Sequence, residues 1–562
     1  MVKTPEELKE LLVVPGLIKE ADFALAQVDS VTSGQSLVEL LVERDLIKDE
    51  QLGQLIAEGL GVHFLDVTQE KVEPEVLTLI PEAVARELGA VALNRSAQGI
   101  KVGMINPTDL EARHALEKRL GEPVVTFFIT PRGLKEVLQN YRGSIKDELN
   151  ALVAKLATSL TKDEQNETAV KTVDAILQYG YQARASDIHL EPSREKILLR
   201  FRIDGVMHDM LSLPTTLEET LVSRIKVMAR LRIDEHLTAQ DGKLQFNIGG
   251  NPVDVRVSIL PVTTGENVVM RILSEESRRF TLTDLGLREG DLVKVKRAID
   301  NPHGMILVTG PTGSGKTTTV YAVMKILNTR EVHISTIEDP VEYEIKGVSQ
   351  IQVNAKANLT FASGLRSIVR QDPDIIMVGE IRDEETAGIA VNSAMTGHLV
   401  LSTLHSNDAP TTLPRLLDMK IEPFLVASTV NVVIAQRLVR KICSRCRQSY
   451  QITAEEKKMI ETDEHLKNIF AEVGYKKLDG LTFYRGAGCA VCGQTGYNGR
   501  IGIFEVLEMT EKIKELVVAR ASSGEVLKMA EAGGMSTMLE DGITKALDGT
   551  TTLEEVLRVI RV

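Results

Sequence analysis

The sequence predicts an α/β protein built on a parallel sheet, and three observations carry that prediction. From residue 283 onward, short apolar strands (MILVTG, HISTIED, DIIMVGE, HLVLSTL) alternate with helical stretches, the pattern of strands joined by crossover helices. Ahead of them, ILLRFRI, VMHDML, KLQFNI and PVDVRVSIL are separated by Asp204-Gly205 and Gly249-Gly250-Asn251, as hairpin strands are. A third, N-terminal region mixes helical periodicity with short strand-like runs.

The length of 562 residues calls for several domains, because single cores rarely grow past about 250–300 residues. With 43% hydrophobic and 26% charged residues, no Trp and a net charge of −13, the composition is that of an ordinary globular protein and speaks against nucleic-acid binding. The N-terminus, MVKTPEELKELLVV, carries no basic stretch followed by an apolar run and cleavage site, so no signal peptide is read. Without an apolar run of about 18 residues, the chain is expected in the cytoplasm, reaching a membrane only through partners. Four Cys in so long a chain point to metal rather than a disulfide framework.

Residues 1–142 read as a small α plus α/β domain. Leu37, Leu40 and Leu41, then Leu52, Leu55 and Ile56, recur at helical spacing, with Asp49 expected to cap the second helix. VALNRS, GIKVGMI and PVVTFFIT follow as strands, with helices at 108–120 and 131–141. The polar, charged stretch 143–168 reads as a linker. A helix over 169–183 opens a middle α+β domain, 169–275, in which Val253, Val255 and Val257 share one face and Asp254, Arg256 and Ser258 the other. Residues 283–562 form the parallel-sheet domain, with a cysteine-bearing insertion at about 440–495 and C-terminal helices punctuated by Asp541-Gly542 and Asp548-Gly549.

Gly310-Pro311-Thr312-Gly313-Ser314-Gly315-Lys316-Thr317-Thr318 fits G-x-x-x-x-G-K-[ST] directly after a strand and before a helical run. Its glycines let backbone N–H groups face phosphate, Lys316 reaches the β and γ phosphates, and the Thr317 hydroxyl binds Mg²⁺. Two acids end neighbouring strands, Glu338 in STIEDPVEY and Glu380 in DIIMVGEIRD, at the edge where such sheets keep their active sites. His398 and His405 flank the next strand, and their placement favours contact with nucleotide or water over a structural role. Arg256 and Arg271, with Arg200 and Arg202 as a second pair, are candidates for charge on the γ-phosphate. For each of these arginines a cross-strand ion pair is the plainer reading.

Cys443-Ser-Arg-Cys446 and Cys489-Ala-Val-Cys492 are two C-x-x-C knuckles, the ligand set of a closed, structural Zn²⁺ site. No thioredoxin-like unit surrounds them to suggest redox use. Arg437, Arg440, Lys441, Arg445 and Arg447 cluster nearby and read as a solvated basic face, with few interleaved aromatics for stacking on bases.

GPTGSGKTTT, STIEDPVEY, RQDPDIIMVGEIRD and TGHLVLSTLHSNDAP resemble the Walker A, Asp, Walker B and His boxes of secretion ATPases, and SDIHLEP, RFRIDG and DVRVSILPVTTGENVVMRIL resemble their middle domain. The N-terminal domain and tetracysteine insertion are similar to those of pilus assembly ATPases of the PilB type and of type II secretion ATPases. GVHFLDV and LIPEAVARELGAVAL favour the former; retraction motors generally lack both features. The resemblance implies a RecA-like P-loop domain after a PAS-like middle domain, and a homohexamer using ATP, Mg²⁺ and Zn²⁺. Such a ring would turn an inner-membrane platform protein alongside other cytoplasmic pilus-assembly proteins. It assigns water activation to Glu338, the Mg²⁺ side of the site to Glu380, and the γ-phosphate to Arg256 and Arg271.

Many relatives bind cyclic di-GMP through a segment of the form R-L-G-x-x-L-x-x-x-G-L-I. The stretch Gln35-Ser36-Leu37-Val38-Glu39-Leu40 and Glu43-Arg44-Asp45-Leu46-Ile47 keeps the leucines but replaces the Arg and both Gly. Weak or no dinucleotide binding is therefore expected, with platform docking instead. A type II secretion ATPase is the alternative within the family, and a DNA-translocating or DNA-uptake ATPase the alternative outside it, disfavoured by charge.

Overall fold

The computed structural model describes residues 4–33, 36–43, 46–67, 70, 72–138, 141, 149–156, 161–248, 251–273, 280–475, 478–489 and 491–561. The chain divides into two units, Met1–Ser274 and Glu275–Val562.

The first unit begins with helices Pro5–Leu12, Glu20–Ser33, Leu37–Glu43 and Asp49–Leu60, which bury Leu8, Leu12, Phe23, Leu41, Leu52 and Ile56 together. Asp49 does not cap the fourth helix: it is the first helical residue, and its carboxylate accepts from the Thr130 hydroxyl at 2.8 Å. Strands β1 (Ala90–Ser96), β2 (Gly99–Met104) and β3 (Val124–Phe128) form a three-stranded sheet in that order. Helices Leu110–Leu120 and Pro131–Val137 accompany it.

The stretch read as a linker is partly structured. Residues 149–156 are helical, with Leu149 and Leu156 buried in the core of the middle domain, and the helix expected from 169 already starts at Lys162, running Lys162–Gln182. Leu152 and Val153 pack beside the two buried leucines, half-buried, so a short apolar stripe docks the 149–156 helix, too narrow to stand out among the charged residues around it. The middle sheet holds β4 (Ala185–Pro192), β5 (Ile197–Ile203), β6 (Val206–Leu213), β7 (Gln240–Ile248), β8 (Asn251–Val262) and β9 (Gly265–Leu273). Its order is β6-β5-β4-β9-β8-β7 and every pair is antiparallel. Val253, Val255 and Val257 face the core with Val173, Ile176, Leu221 and Ile225 of the two helices Lys162–Gln182 and Glu218–Met228. Arg256 and its row-mates line the opposite face.

The second unit is a seven-stranded sheet of β10 (Gly304–Thr309), β11 (Ile334–Glu338), β12 (Val348–Gln352), β13 (Ile375–Val378), β14 (Leu399–Leu404), β15 (Val430–Ile442) and β18 (Tyr497–Glu508). The order is β12-β11-β13-β14-β10-β15-β18, parallel throughout except for the antiparallel β15–β18 pair. Every residue of β10, β13 and β14 is buried, as in a parallel sheet covered on both faces. Between β15 and β18 the insertion folds as β16 (Arg447–Gln451) paired with β17 (Thr482–Gly486) and two helices, Ala454–Thr462 and Glu464–Glu472.

Asp548-Gly549 ends helix Met538–Leu547, with Gly549 at φ +80°. Asp541-Gly542, expected as a break, lies inside that helix. A Cβ on Gly542 would stand 2.5 Å from Val556, so this glycine admits a close neighbour rather than a turn, and Asp541 is buried against Lys545 at 2.7 Å.

Glu505 on β18 is 3% exposed and accepts the backbone N–H of Ala409 at 2.9 Å. Burial pushes its carboxyl from 4.5 up to about 7. The unfolded chain loses this proton first, so the group contributes stability that is intact below pH 4.5 and lost as pH rises toward 7, by about 3 kcal/mol. Denaturant titrations of Glu505→Gln across that window should lack this fall.

Candidate active site and zinc centre

Strand β10 delivers the chain to Gly310, after which the backbone must curl tightly. Gly310, Gly313 and Gly315 have φ of +147°, +78° and +89°, values that L side chains rarely adopt. A Cβ at Gly310 would also lie 2.5 Å from the Gln436 carbonyl oxygen and 2.6 Å from Ser314 Oγ. Helix Lys316–Leu327 starts directly after Gly315, so its free N–H groups and dipole face the loop. Lys316 Nζ donates to the carbonyls of Gly310 (2.8 Å) and Pro311 (3.1 Å). Burial holds its ammonium below the usual lysine range, opposed by the nearby Glu380 carboxylate. Pro311 and Thr312 are exposed, Ser314 is buried, and Thr317 and Thr318 are half-buried on the helix's first turn. A helix N-terminus, three glycines with positive φ and one ammonium fit a polyphosphate, with Thr317 available for its Mg²⁺.

The two acids differ. Glu380 lies just past β13, where its carboxylate meets Arg382 Nη2 at 2.6 Å and His405 Nε2 at 3.1 Å. Both partners are exposed, while the Glu380 side chain is itself 13% exposed and lies near enough for its charge to act on Lys316. Glu338 is 2% exposed. Its carboxylate accepts from the Tyr321 hydroxyl, from Thr336 Oγ1 at 2.5 Å and from Gln350 Nε2 at 3.2 Å, and Tyr321 is held protonated by burial and by this acid. That is the setting of a fixed anchor, and it stands against the water-activating role expected of Glu338. Glu342, four residues on, is half-buried.

His398 is parted from His405. It precedes the six-residue β14, and its Nδ1 lies 2.9 Å from the Ser393 carbonyl oxygen. An extended strand of that length carries its ends about 20 Å apart, so His398 stands at the sheet edge opposite Lys316, away from this chain's phosphate loop.

In the first unit, strand register places Arg256 directly opposite both Lys243 and Arg271. Arg271 lies opposite Asp187, and Asp187 opposite Arg202. The row across five strands thus holds four cations and one acid. Asp187 binds Arg271 at 2.8 Å and Arg202 at 3.4 Å, and Arg200 pairs with Glu191 and Asp209. The ion-pair reading therefore holds for Arg271, through Asp187. Like charges placed directly opposite are unfavourable, and a row so unbalanced attracts anions.

Several residues here were not singled out by the sequence, among them Tyr321, Glu342, Gln350, Arg382, Gln436 and, in the first unit, Asp187 and Lys243. Gln436 carried a signal, being a primary amide in the middle of the apolar run VNVVIAQRLV, where a buried polar group must find partners.

The four cysteines converge. Sγ distances are 3.8 Å for Cys443–Cys489, 3.9 Å for Cys446–Cys492 and 3.7 Å for Cys489–Cys492, and all four lie within 4.8 Å of one another. A tetrahedron with Zn–S bonds of ~2.3 Å has edges of about 3.8 Å, so the set fits Zn²⁺. The N–H groups of Cys489 and Gly496 each lie 3.2 Å from Cys492 Sγ and favour its thiolate form. With four thiolates and no open position, the metal's part is structural.

The family described as type II/IV secretion system protein matches residues 162–558, and the MshEN domain matches residues 60–148. The chain is 40% identical to the type IV pilus assembly ATPase PilB of Myxococcus xanthus (strain DK1622), over 98% of both chains. It is 38% identical to the type II secretion system protein E of Xanthomonas campestris pv. campestris, over 98% of this chain and 97% of that one. In fold it is similar to the Yersinia pseudotuberculosis ATPase DotB, with a TM-score of 0.50 at 19% identity, over 70% of this chain and 94% of that one. The chain belongs to the type II/IV secretion system family and is a secretion ATPase. Among the described residues no helix is long and apolar enough to cross a membrane.

The purified chain should carry about one zinc. Cys489→Ser should lower metal content in a colorimetric thiol-release assay and speed proteolysis within 443–496.

Proposed function

We propose that this secretion ATPase is a motor for type IV pilus assembly, working as a homohexamer on an inner-membrane platform protein from the cytoplasmic side. The full-length similarity to the Myxococcus xanthus pilus assembly ATPase carries the reading. Type II secretion is the second reading, favoured by a nearly equal full-length similarity to the Xanthomonas protein.

In the proposed site, Lys316 leaves the Gly310 and Pro311 carbonyls for the terminal phosphates of ATP, and loop N–H groups hold their oxygens. Thr317 and Glu380 serve Mg²⁺, which when bound neutralises charge on the β and γ phosphates. His405 and Arg382 fix the Glu380 carboxylate. The geometry supports an indirect part for Glu338: it anchors the end of β11 and the turn that carries Glu342, the acid then left to orient water. Arg256 and Arg271, in a row already short of negative charge, would meet the γ-phosphate of a bound nucleotide in the assembled ring.

The proposal keeps weak or no cyclic di-GMP binding, with platform docking as the part of the N-terminal domain. Leu37, Leu40 and Leu41 are buried, but Gln35, Arg44 and Asp45 lie outside the described residues, and the MshEN match begins after this stretch.

Lys316→Ala should abolish nucleotide binding or turnover. Glu342→Gln and Glu380→Gln should each cut turnover by about 10² or more, the first with ATP still bound. Glu338→Gln should lower thermal stability more than it lowers turnover; a variant that is fully stable yet traps ATP returns water activation to Glu338.

In the organism, Lys316→Ala should remove surface pili while leaving protein secretion normal. The opposite result favours type II secretion.

A further inference from the structure

We propose that Gln436 is a positioning residue that holds the phosphate loop in its anion-binding shape by bridging the loop to the helix that follows it. The inference rests on residues 310–318 being the nucleotide site. Gln436 lies on β15, the strand beside β10, among the buried residues Val433, Ile434, Ala435 and Val439, and is itself 2% exposed. A buried amide is costly unless both ends are bonded, and here both are. Its Nε2 donates to the Ser314 carbonyl at 2.6 Å, and its Oε1 accepts from the Thr319 hydroxyl at 2.6 Å. Ser314 belongs to the loop and Thr319 to the first turn of the helix after it. The amide thus spans the point where loop becomes helix.

That bond fixes a direction. In a planar trans peptide the carbonyl of one residue and the N–H of the next point opposite ways. With the Ser314 carbonyl tied to Gln436, the Gly315 N–H must point away from β15, toward the side a phosphate occupies. Without the bond, rotation of this peptide would turn a carbonyl oxygen toward the anion. Packing supports the same role: a Cβ on Gly315 would stand 3.0 Å from Gln436 Nε2, and one on Gly310 2.5 Å from the Gln436 carbonyl oxygen. The loop is therefore seated on this residue at both ends.

The test uses the full chain with a fluorescent ATP analogue, alongside turnover, zinc content and thermal melting. Gln436→Glu is nearly isosteric. When ionised it still accepts from Thr319 but repels the Ser314 carbonyl, and when protonated it can donate again. Expected at pH 8 is about tenfold weaker binding, with normal zinc content and a melting point above the assay temperature. Binding by this variant should recover as pH falls toward 6, while the unsubstituted chain shows no such recovery. Thr319→Val, which spares the Ser314 bond, should weaken binding by only about two- to threefold. The proposal is overturned if Gln436→Glu and Gln436→Leu bind the analogue as the unsubstituted chain does, or if their binding falls only where melting has begun. Lys316→Ala separates the two levels: normal binding by that variant overturns the nucleotide-site reading itself, whereas its loss beside normal binding by the Gln436 variants overturns only the role of Gln436.

Discussion

A parallel strand covered on both faces can bring a polar group to solvent only at its ends, and most of the second unit's chemistry follows from that constraint. β10, β13 and β14 are buried at every position. Gly310 and His405 each come at the first step beyond their strands and Glu380 at the second beyond β13, all at the same edge because the strands run parallel. Glu338 is the exception that shows the rule: it is still within β11, so its carboxylate stays inside and is satisfied by Tyr321, Thr336 and Gln350. Gln436, in mid-strand, is tolerated for the same reason, with both ends of its amide engaged.

The middle sheet solves a different problem. Its helices cover one face only, so alternation leaves the other face polar. That freedom lets register set Lys243, Arg256, Arg271 and Arg202 in one row with Asp187 as their sole acid. The two sheets differ in chemistry, one ending in backbone N–H groups around a lysine, the other carrying a row of side-chain charge.

Much of this was legible in the sequence because it depends on local rules. The glycine spacing around Lys316, the acids after apolar strands, the Val253–Val257 alternation and the paired knuckles each state their geometry within a few residues. What was not legible depends on which surfaces meet. Residues 149–156 looked soluble because the surface that Leu149 and Leu156 enter, with Leu152 and Val153 beside them, comes from elsewhere in the chain. Asp541-Gly542 looked like a turn because its reason, the approach of Val556, comes from another helix. Glu338 and Glu380 looked alike, since nothing in either strand tells that Tyr321 hydrogen-bonds the one while exposed Arg382 and His405 meet the other. His398 looked like a site residue because nearness in sequence hides that a strand separates its two ends.

The zinc insertion enters and leaves between β15 and β18, where Ile442 stands directly opposite Tyr497. The ladder below that pair closes the insertion, and the entropy cost of closure grows only slowly with the insertion's length. It behaves as a cassette: a short turn from Ile442 to Tyr497 would restore an ordinary hairpin and leave the seven-stranded order intact. What such an excision would uncover is the apolar surface of Ile543, Ala546 and Leu553, now packed on Ile460, Phe470 and Phe483. Gain or loss of the cassette in evolution is thus a matter of repainting two C-terminal helices, not of rebuilding the nucleotide-binding sheet.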